Sequence, residues 1–320
     1  MPLHLTDDEF VAEWQKIGSP ELFAKTHQLS VRAVYSRRRT LEARLNIELR
    51  TTNDQRIVHK RSRVENAAPN VRSEIKLEKG VVIVFSDAHF WPDETTTAFR
   101  ALIKLIKELK PVAIVCNGDA FDGGAISRFP RIGWDHKPTV KDEIEACKFY
   151  LGEIEKAAKG AKLIWTMGNH DARFETALAS VAGQYENVPG FSLKDHFPFW
   201  QPCWSFWVND DTVIKHRFKG GRYGGYQNTI NSGVNIVTGH THVLAVQPVT
   251  DYNGTRYGVQ TGCLADPEAM AFADYTEDNS KDWRSGFAVL TWDRSKLLMP
   301  ELVQVWDEDE VQFRGKIISV

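Results

Sequence analysis

The chain has 320 residues, 42% hydrophobic and 26% charged, which is the balance of a globular protein and too long for a disulfide-stapled miniprotein. Forty Lys and Arg against forty-two Asp and Glu give a formal net charge of −2, so overall basicity does not point to nucleic acid, acidic excess does not point to disorder, and any charge signal must be local. Apolar runs such as Gly80 to Phe85 fall far short of the roughly 18–20 residues of a membrane span, Asp7, Asp8 and Glu9 replace the basic, apolar start of a secretory signal, and the four scattered cysteines read as reduced thiols, so a cytoplasmic location without membrane contact is expected.

Charge divides the chain. Residues 1–80 hold 15 basic and 11 acidic side chains, whereas 81–320 hold 25 and 31, and within 30–63 the count is ten to three. Phe10, Val11, Trp14 and Ile17 recur at helical spacing, Ser19-Pro20-Glu21 can open a second helix, and a third can run from Ser30 through Val31, Val34 and Leu41. Three helices with a tight connection at Gln28-Leu29-Ser30 resemble a helix-turn-helix module, because Ala24, Leu29 and Val34 fall where that motif packs its two helices. Gln28 stands where the motif often has Gly. The resemblance implies DNA contacts from Arg32, Arg37, Arg38, Arg39 and Arg44 on the third helix; the alternative is an ordinary helical cap with a solvated basic face. The organisation expected is a helical module at 1–50, a basic linker at 51–79 and a larger domain at 80–320.

From residue 80 the pattern becomes β-branched runs alternating with amphipathic helices. Val81–Ser86, Val112–Cys116 and Lys162–Met167 read as buried strands separated by helices near Thr95–Lys110 and Val140–Lys159, a βαβαβ order. Further strands are expected at Trp204–Val208, Thr212–Lys215, Val234–Thr238, Val243–Val249, Arg256–Thr261 and Gly286–Trp292, with a hairpin turn at Asp251-Tyr252-Asn253-Gly254.

Strands of this domain end in metal-ligand residue types: Asp87-Ala88-His89, then Gly118-Asp119-Ala120-Phe121-Asp122, Gly168-Asn169-His170-Asp171, a lone His216, and Gly239-His240-Thr241-His242. Ligands of open α/β sheets bind beyond the carboxyl ends of the strands, so these five segments should converge. The glycines before Asp119, Asn169 and His240 allow sharp backbone turns. Carboxylates that can bridge cations, imidazoles and an Asn carbonyl, without thiolate, describe a mixed N/O dinuclear site for Mn, Fe, Zn or a similar metal.

Asp-x-His, Gly-Asp-x-x-Asp, Gly-Asn-His-Asp, a lone His and Gly-His-x-His in that order resemble the calcineurin-like metallophosphoesterases over roughly residues 80–320. The resemblance implies an α/β fold of two packed mixed β-sheets flanked by helices, a four-layer sandwich, here preceded by the small helical module. It implies two divalent metal ions, Mn foremost with Fe, Zn, Ni or Mg as alternatives, one bound by Asp87, His89 and His242 and the other by Asn169, His216 and His240, with Asp119 bridging. Such ions, about 3.5–4 Å apart, activate a bridging hydroxide for in-line attack on phosphorus. His170 is then the general acid, oriented by Asp171 or a nearby carboxylate, and Asp122 either supports the site or is structural.

Substrate contacts are expected from Arg217, Arg222 and Tyr223 in the Gly-rich loop after His216, and from Arg128 with Arg131, Trp134 and His136 after the Asp119 segment. The first functional reading is a phosphodiesterase or nuclease acting on DNA, with the helical module holding the nucleic acid, an arrangement resembling phage and prophage proteins and acting in the host cytoplasm if phage-encoded. The alternative is a phosphomonoesterase on nucleotides or phosphoproteins, with the module serving assembly or partner docking. A fold kept without catalysis is argued against by the full ligand set and His170.

Overall fold

Thr6, Ser19 and Ser30 each accept a backbone N–H from the third residue beyond, and these caps open α1 (Asp7–Ile17), α2 (Pro20–Thr26) and α3 (Val31–Leu45). The computed structural model describes residues 5–49, 51, 71–129, 137–221, 223–268 and 281–320. Phe10, Trp14, Phe23, Ala24, Val34, Leu41 and Leu49 form the core of this N-terminal unit, where each large side chain contributes about 1.5–3 kcal/mol by leaving water. Gln28 takes φ +52°, the left-handed conformation that a glycine would adopt more readily. The tight connection is thus made with Gln in a glycine's conformation.

The chain divides into two compact units at Ala68/Pro69. The second opens with β1 (Arg72–Ile75), in the stretch that the sequence reading assigns to a linker. This strand is a correction with a simple cause. Its four residues lack an apolar run, and parallel pairing with β6 (Ser205–Val208), more than 130 residues away, makes it a strand.

Next come β2 (Gly80–Phe85), α4 (Thr97–Leu109), β3 (Ala113–Cys116), α5 (Val140–Ala157), β4 (Lys162–Thr166), α6 (Arg173–Ala182) and β5 (Gln201–Cys203). Strands β2 to β5 are parallel neighbours in the larger sheet. Its other half is antiparallel: β11 (Gly286–Asp293) lies beside β2 and turns back on the short β12 (Lys296–Leu297), followed by β13 (Glu301–Asp307), β14 (Glu310–Phe313) and β15 (Lys316–Ser319). The smaller sheet runs β1, β6, β7 (Thr212–Ile214), β8 (Asn235–Thr238), β10 (Gly254–Thr261), β9 (Leu244–Asp251). Strands β9 and β10 form the expected hairpin through Tyr252-Asn253.

Period-2 alternation places the sheets. Ile83, Phe85, Ile114, Cys116 and Trp165 face Leu102, Leu105, Ile106, Cys147 and Leu151 of α4 and α5. Their neighbours Val82, Val84, Val115 and Ile164 face Phe206, Ile214, Val237 and Val259 of the smaller sheet. Helix α7 (Gly224–Ser232) covers the other side of the smaller sheet, which gives the four layers. The architecture is the mixed α/β arrangement of two packed sheets flanked by helices that the sequence implied. Among the described residues, no helix is long and apolar enough to cross a membrane, and all four cysteines are free and buried.

Candidate metal centre

Three loops, after β2, β3 and β4, leave the carboxyl ends of adjacent parallel strands, and two more, after β7 and β8, come from the facing sheet. These loops bring the predicted residues together. Potential ligand atoms of Asp87, His89 and His242 lie within 4.8 Å of one another, as do those of Asp119, His216 and His240. Asp87 Oδ1 lies 3.3 Å from His242 Nε2, and Asp119 Oδ2 lies 3.0 Å from His216 Nε2. Asn169 Oδ1 is buried with no hydrogen-bond partner.

The backbone bends hard to do this. Asp87, His89, Asp119, His240 and His242 all have φ between +41° and +69°, a region that L residues other than Gly seldom occupy. Hydrogen bonds from other segments hold them there: Asp87 N–H donates to the Gly118 carbonyl, His89 N–H to that of Asp119, and His240 N–H to both oxygens of Asp87. Gly118 has φ +85°, and a Cβ there would lie 2.4 Å from the His216 ring; at Gly168 it would lie 2.0 Å from Asp119 Oδ1. Close approach of ligand side chains, more than freedom to turn, therefore requires glycine at 168.

Charges and protons are arranged for cations. Burial raises the Asp119 carboxyl, but His216, His170 and His89 outweigh it and hold the group below the usual range. Burial likewise raises Asp87, and His242 and His216 bring it down. His216 Nδ1 lies 2.7 Å from the Asn117 carbonyl, so it donates there and turns Nε2 to the Asp119 carboxylate. Burial pulls this imidazole down, yet Asp119 and Asp87 hold it up at about 9. A buried acceptor pair facing each other needs a cation or a proton between them. With the lone Asn169 oxygen, the donor set fits divalent metal ions of the N/O-binding kind.

His170 sits at the edge of both clusters. Its Nδ1 lies 2.8 Å from Asp122 Oδ1 and 3.0 Å from the Asp122 carbonyl, and its Nε2 lies 4.0 Å from Asp119 Oδ2. Asp122 Oδ1 is also 2.9 Å from His89 Nδ1, so one carboxylate orients both imidazoles and fixes their tautomers. Burial lowers His170, but the Asp122 contact and the Asp119 charge raise it above its ordinary value.

Of the two options in the sequence reading, Asp171 or a nearby carboxylate, the one in contact with His170 is the nearby carboxylate, Asp122, and Asp171 is placed elsewhere. It is fully buried and accepts backbone N–H bonds from Asp119, Ala120, Phe121 and Gly168 and the Trp165 indole N–H. It therefore ties the β3 and β4 loops together and does not reach His170. Asp171→Ala leaves those donors without a partner at about 1–3 kcal/mol each, so thermal melting should show a loss on the order of 4 kcal/mol or more. A melting temperature within a degree or two of wild type would contradict this role.

Of the two roles offered for Asp122, support of the site is the one its contacts with His89 and His170 fit, whereas Arg173 and Glu143 are what sequence reasoning missed. Arg173 Nη1 donates to the Asp122 carbonyl and its Nη2 lies 3.1 Å from His170 Nε2. Its position three residues after His170 was the available signal. Glu143, buried on α5, accepts from Gly123 and Gly124 N–H at 2.6 and 3.1 Å and so fixes the segment after Asp122; burial and Asp122 raise its carboxyl to about 7. No sequence pattern announced it.

The expected substrate and DNA contacts fare unevenly. Arg128 is exposed, with its guanidinium 5.2 Å from the Phe129 ring centre. Arg217 and Tyr223 are also exposed, but Gly224 and Gly225 begin α7 and are not loop as the sequence reading had them. Arg131, Trp134, His136 and Arg222 lie outside the described residues. On α3, Arg37 donates to the Leu5 carbonyl and to Asp7, Arg38 to Glu42 with its guanidinium over Trp14, and Arg44 pairs with Asp7. Arg32 and Arg39, seven residues apart on the same helix, are exposed.

Residues 80–244 match the sequence model of the family described as calcineurin-like phosphoesterase. The Gene 54 protein of Mycobacterium phage L5 is 26% identical over 248 residues, covering 70% of this chain and 93% of the relative. Its counterpart from Mycobacterium phage D29 is 26% identical over 251 residues, with the same coverage of both chains. Similar solved structures include vacuolar protein sorting 29 from Cryptosporidium parvum, at TM-score 0.38 and 14% identity over 76% of this chain and 97% of that one. An archaeal phosphodiesterase aligns at TM-score 0.38 and 15% identity over 70% of this chain and 99% of the other.

Proposed function

Because the chain belongs to the calcineurin-like phosphoesterase family, we propose that it hydrolyses phosphodiester bonds of nucleic acid at a centre of two divalent cations, Mn foremost. Asp87, His89 and His242 would hold one cation, and Asn169, His216 and His240 the other, with Asp119 between them. The observation that carries this reading is the pair of three-residue clusters, Asp87/His89/His242 and Asp119/His216/His240, with His170 beside them. When bound, such cations supply Lewis acidity towards phosphoryl oxygens and acidify a water molecule. The chain's own residues do the rest. Asp122 pins His170 Nδ1, which leaves Nε2 to give a proton to the leaving oxygen once the Arg173 guanidinium, a donor that faces Nε2 at 3.1 Å, turns to the substrate. The exposed Arg217, next to His216, favours a substrate carrying further phosphates. The two phage relatives support a phage-encoded enzyme acting in a host cytoplasm.

Turnover of a bis-aryl phosphate against a mono-aryl phosphate, followed by single-stranded and duplex DNA, tests the reading. Preference for the diester and cleavage of DNA are expected. A strong preference for the monoester with DNA left intact would overturn it.

For the N-terminal unit a second reading has its own observation. Arg37, Arg38 and Arg44 are engaged within the unit, which favours assembly or partner docking over a continuous DNA-contacting face. Deleting residues 1–50 discriminates. If Arg32 and Arg39 meet phosphates, binding of duplex DNA loses about 0.9 per contact from its log–log salt slope, whereas a docking module leaves that slope unchanged.

A further inference from the structure

Residues 212–250 contain no Asp or Glu, yet they hold Lys215, Arg217, Lys219 and Arg222, in a region, 81–320, where acidic residues outnumber basic ones by 31 to 25. The same stretch carries His216, His240 and His242. The locally positive piece of the domain therefore carries three of the seven proposed ligands, the other four, Asp87, His89, Asp119 and Asn169, coming from other loops.

Two sets of bonds build this piece into a rigid ledge. Asn228 of α7 clamps the preceding loop by accepting the Lys219 N–H at 3.0 Å and donating to its carbonyl at 3.1 Å. The first turn of α7 is tied to the histidine loop through buried Gln260, which accepts the Gly225 N–H at 3.2 Å and donates to Thr241 Oγ1, between His240 and His242, at 2.8 Å. Helix and sheet meet backbone to backbone, since a Cβ at Gly258 would lie 2.0 Å from the Gly225 carbonyl oxygen. The ledge is thus fixed to the residues of the centre by direct bonds.

Its exposed side chains are rings and cations: Phe218 is 41% exposed, Tyr223 63% and Tyr226 50%, and Arg217 and Lys219 are exposed as well. The Lys215 ammonium already lies 5.2 Å from the Phe218 ring centre, a cation on an aromatic face, and Lys219 Nζ donates to Asn231 Oδ1 at 3.2 Å. The first N–H groups of α7 are already taken, Gly224 by the Gly221 carbonyl, Gly225 by Gln260 and Tyr226 by Gln247, so attraction for phosphate comes from the side-chain cations and not from the helix end. An apolar partner would leave the cations desolvated. A duplex keeps its base faces stacked inside and offers the rings little. A single strand offers both phosphates and open base faces.

We propose that the ledge formed by residues 217–221 and 223–226 is a track for single-stranded nucleic acid, its cations meeting phosphates and its rings stacking bases as the strand enters the metal centre. The inference rests on the nucleic-acid phosphodiesterase reading above and names the form of its substrate.

Binding of a labelled oligothymidylate to the full-length, Mn-loaded His170→Ala protein, which turns over slowly, tests it by fluorescence anisotropy across a salt series. Phe218→Ala with Tyr226→Ala should weaken binding about tenfold or more. Arg217→Ala with Lys219→Ala should lower the log–log salt slope by about 1.4, the single-strand value for two phosphates. Tyr252→Ala, a still more exposed ring at the β9–β10 hairpin, should change neither. Unchanged affinity in the ring variant, or an equal loss in Tyr252→Ala, would overturn the proposal. Aryl diester turnover by wild type separates the two readings: if it is present while the ring variant binds normally, only the track fails. If wild type lacks it, the phosphodiesterase reading fails, and the track with it.

Discussion

Asp119→Asn should reduce hydrolysis of an aryl phosphodiester to the level left in excess chelator, with metal content falling in parallel. Asp119 is the carboxylate that faces His216 Nε2 at 3.0 Å, receives the His170 N–H at 2.8 Å and lies 2.0 Å from where a Cβ on Gly168 would sit. An amide keeps the shape but removes the negative charge that offsets repulsion between two cations. The pH dependence gives a second readout. His216, held up at about 9 in the metal-free chain, must lose its proton before Nε2 can bind metal. Metal binding therefore releases a proton, and apparent affinity should rise about tenfold per pH unit up to about pH 9. In Asp119→Asn the main charge holding that proton is gone, so the rise should flatten and level off at lower pH. Metal titration by calorimetry between pH 6 and 9 measures both. Full activity in the variant, or in chelator, would remove Asp119 and the paired clusters from the mechanism.

His170→Ala should keep its metal and lose about 10²–10⁴ in turnover, the usual scale for removing a general acid. The loss should depend on the leaving group. A nitrophenolate departs without help, so its ester should suffer least, and an alkyl or nucleoside ester should suffer most. Asp122→Asn should reproduce part of the defect by a different route. It weakens the contact that holds His170 above its ordinary pKa and in one tautomer, so the alkaline limb of the kcat profile should move to lower pH. The sign follows from an acid that must be protonated to act: lowering its pKa makes it lose its proton earlier as pH rises. Equal losses for both leaving groups would make His170 a substrate-positioning residue.

Much of this centre was legible because its chemistry is carried by short motifs at strand ends. Asp87, His89, Asp119, Asn169, His240 and His242 each sit within a few residues of a β-branched run whose hydrophobicity marks the strand. His216 had only Val213-Ile214 before it, and the strand was still enough to place it. What the sequence did not yield depends on distance along the chain. Strand β1 has no apolar signature of its own, and it pairs with residues more than 130 positions later. Glu143 lies about twenty residues from the glycines it holds. Asp171 reads like a ligand beside Asn169 and His170, but an acidic side chain that collects five N–H donors in the interior is a hub for loops. Charge counting on α3 could not see the partners of its arginines for a related reason: Asp7 and Glu42, distant or local, pair with Arg37, Arg38 and Arg44, which composition alone leaves open.

The five side chains of the centre with positive φ give the fold a weak point and a remedy. Each such conformation costs about 1–3 kcal/mol for a residue with a Cβ, so together the five oppose folding by about 5–15 kcal/mol, as much as the net stability of about 5–15 kcal/mol of a typical domain. Local opening should therefore begin in the segments around 87–89, 119 and 240–242, whose amides would exchange with solvent sooner than those of the strands they follow. A cation held by the same side chains opposes that opening by mass action. The order of these loops is then set by the free metal concentration around the protein, and depletion would unlatch the catalytic corner while both β-sheets remain closed.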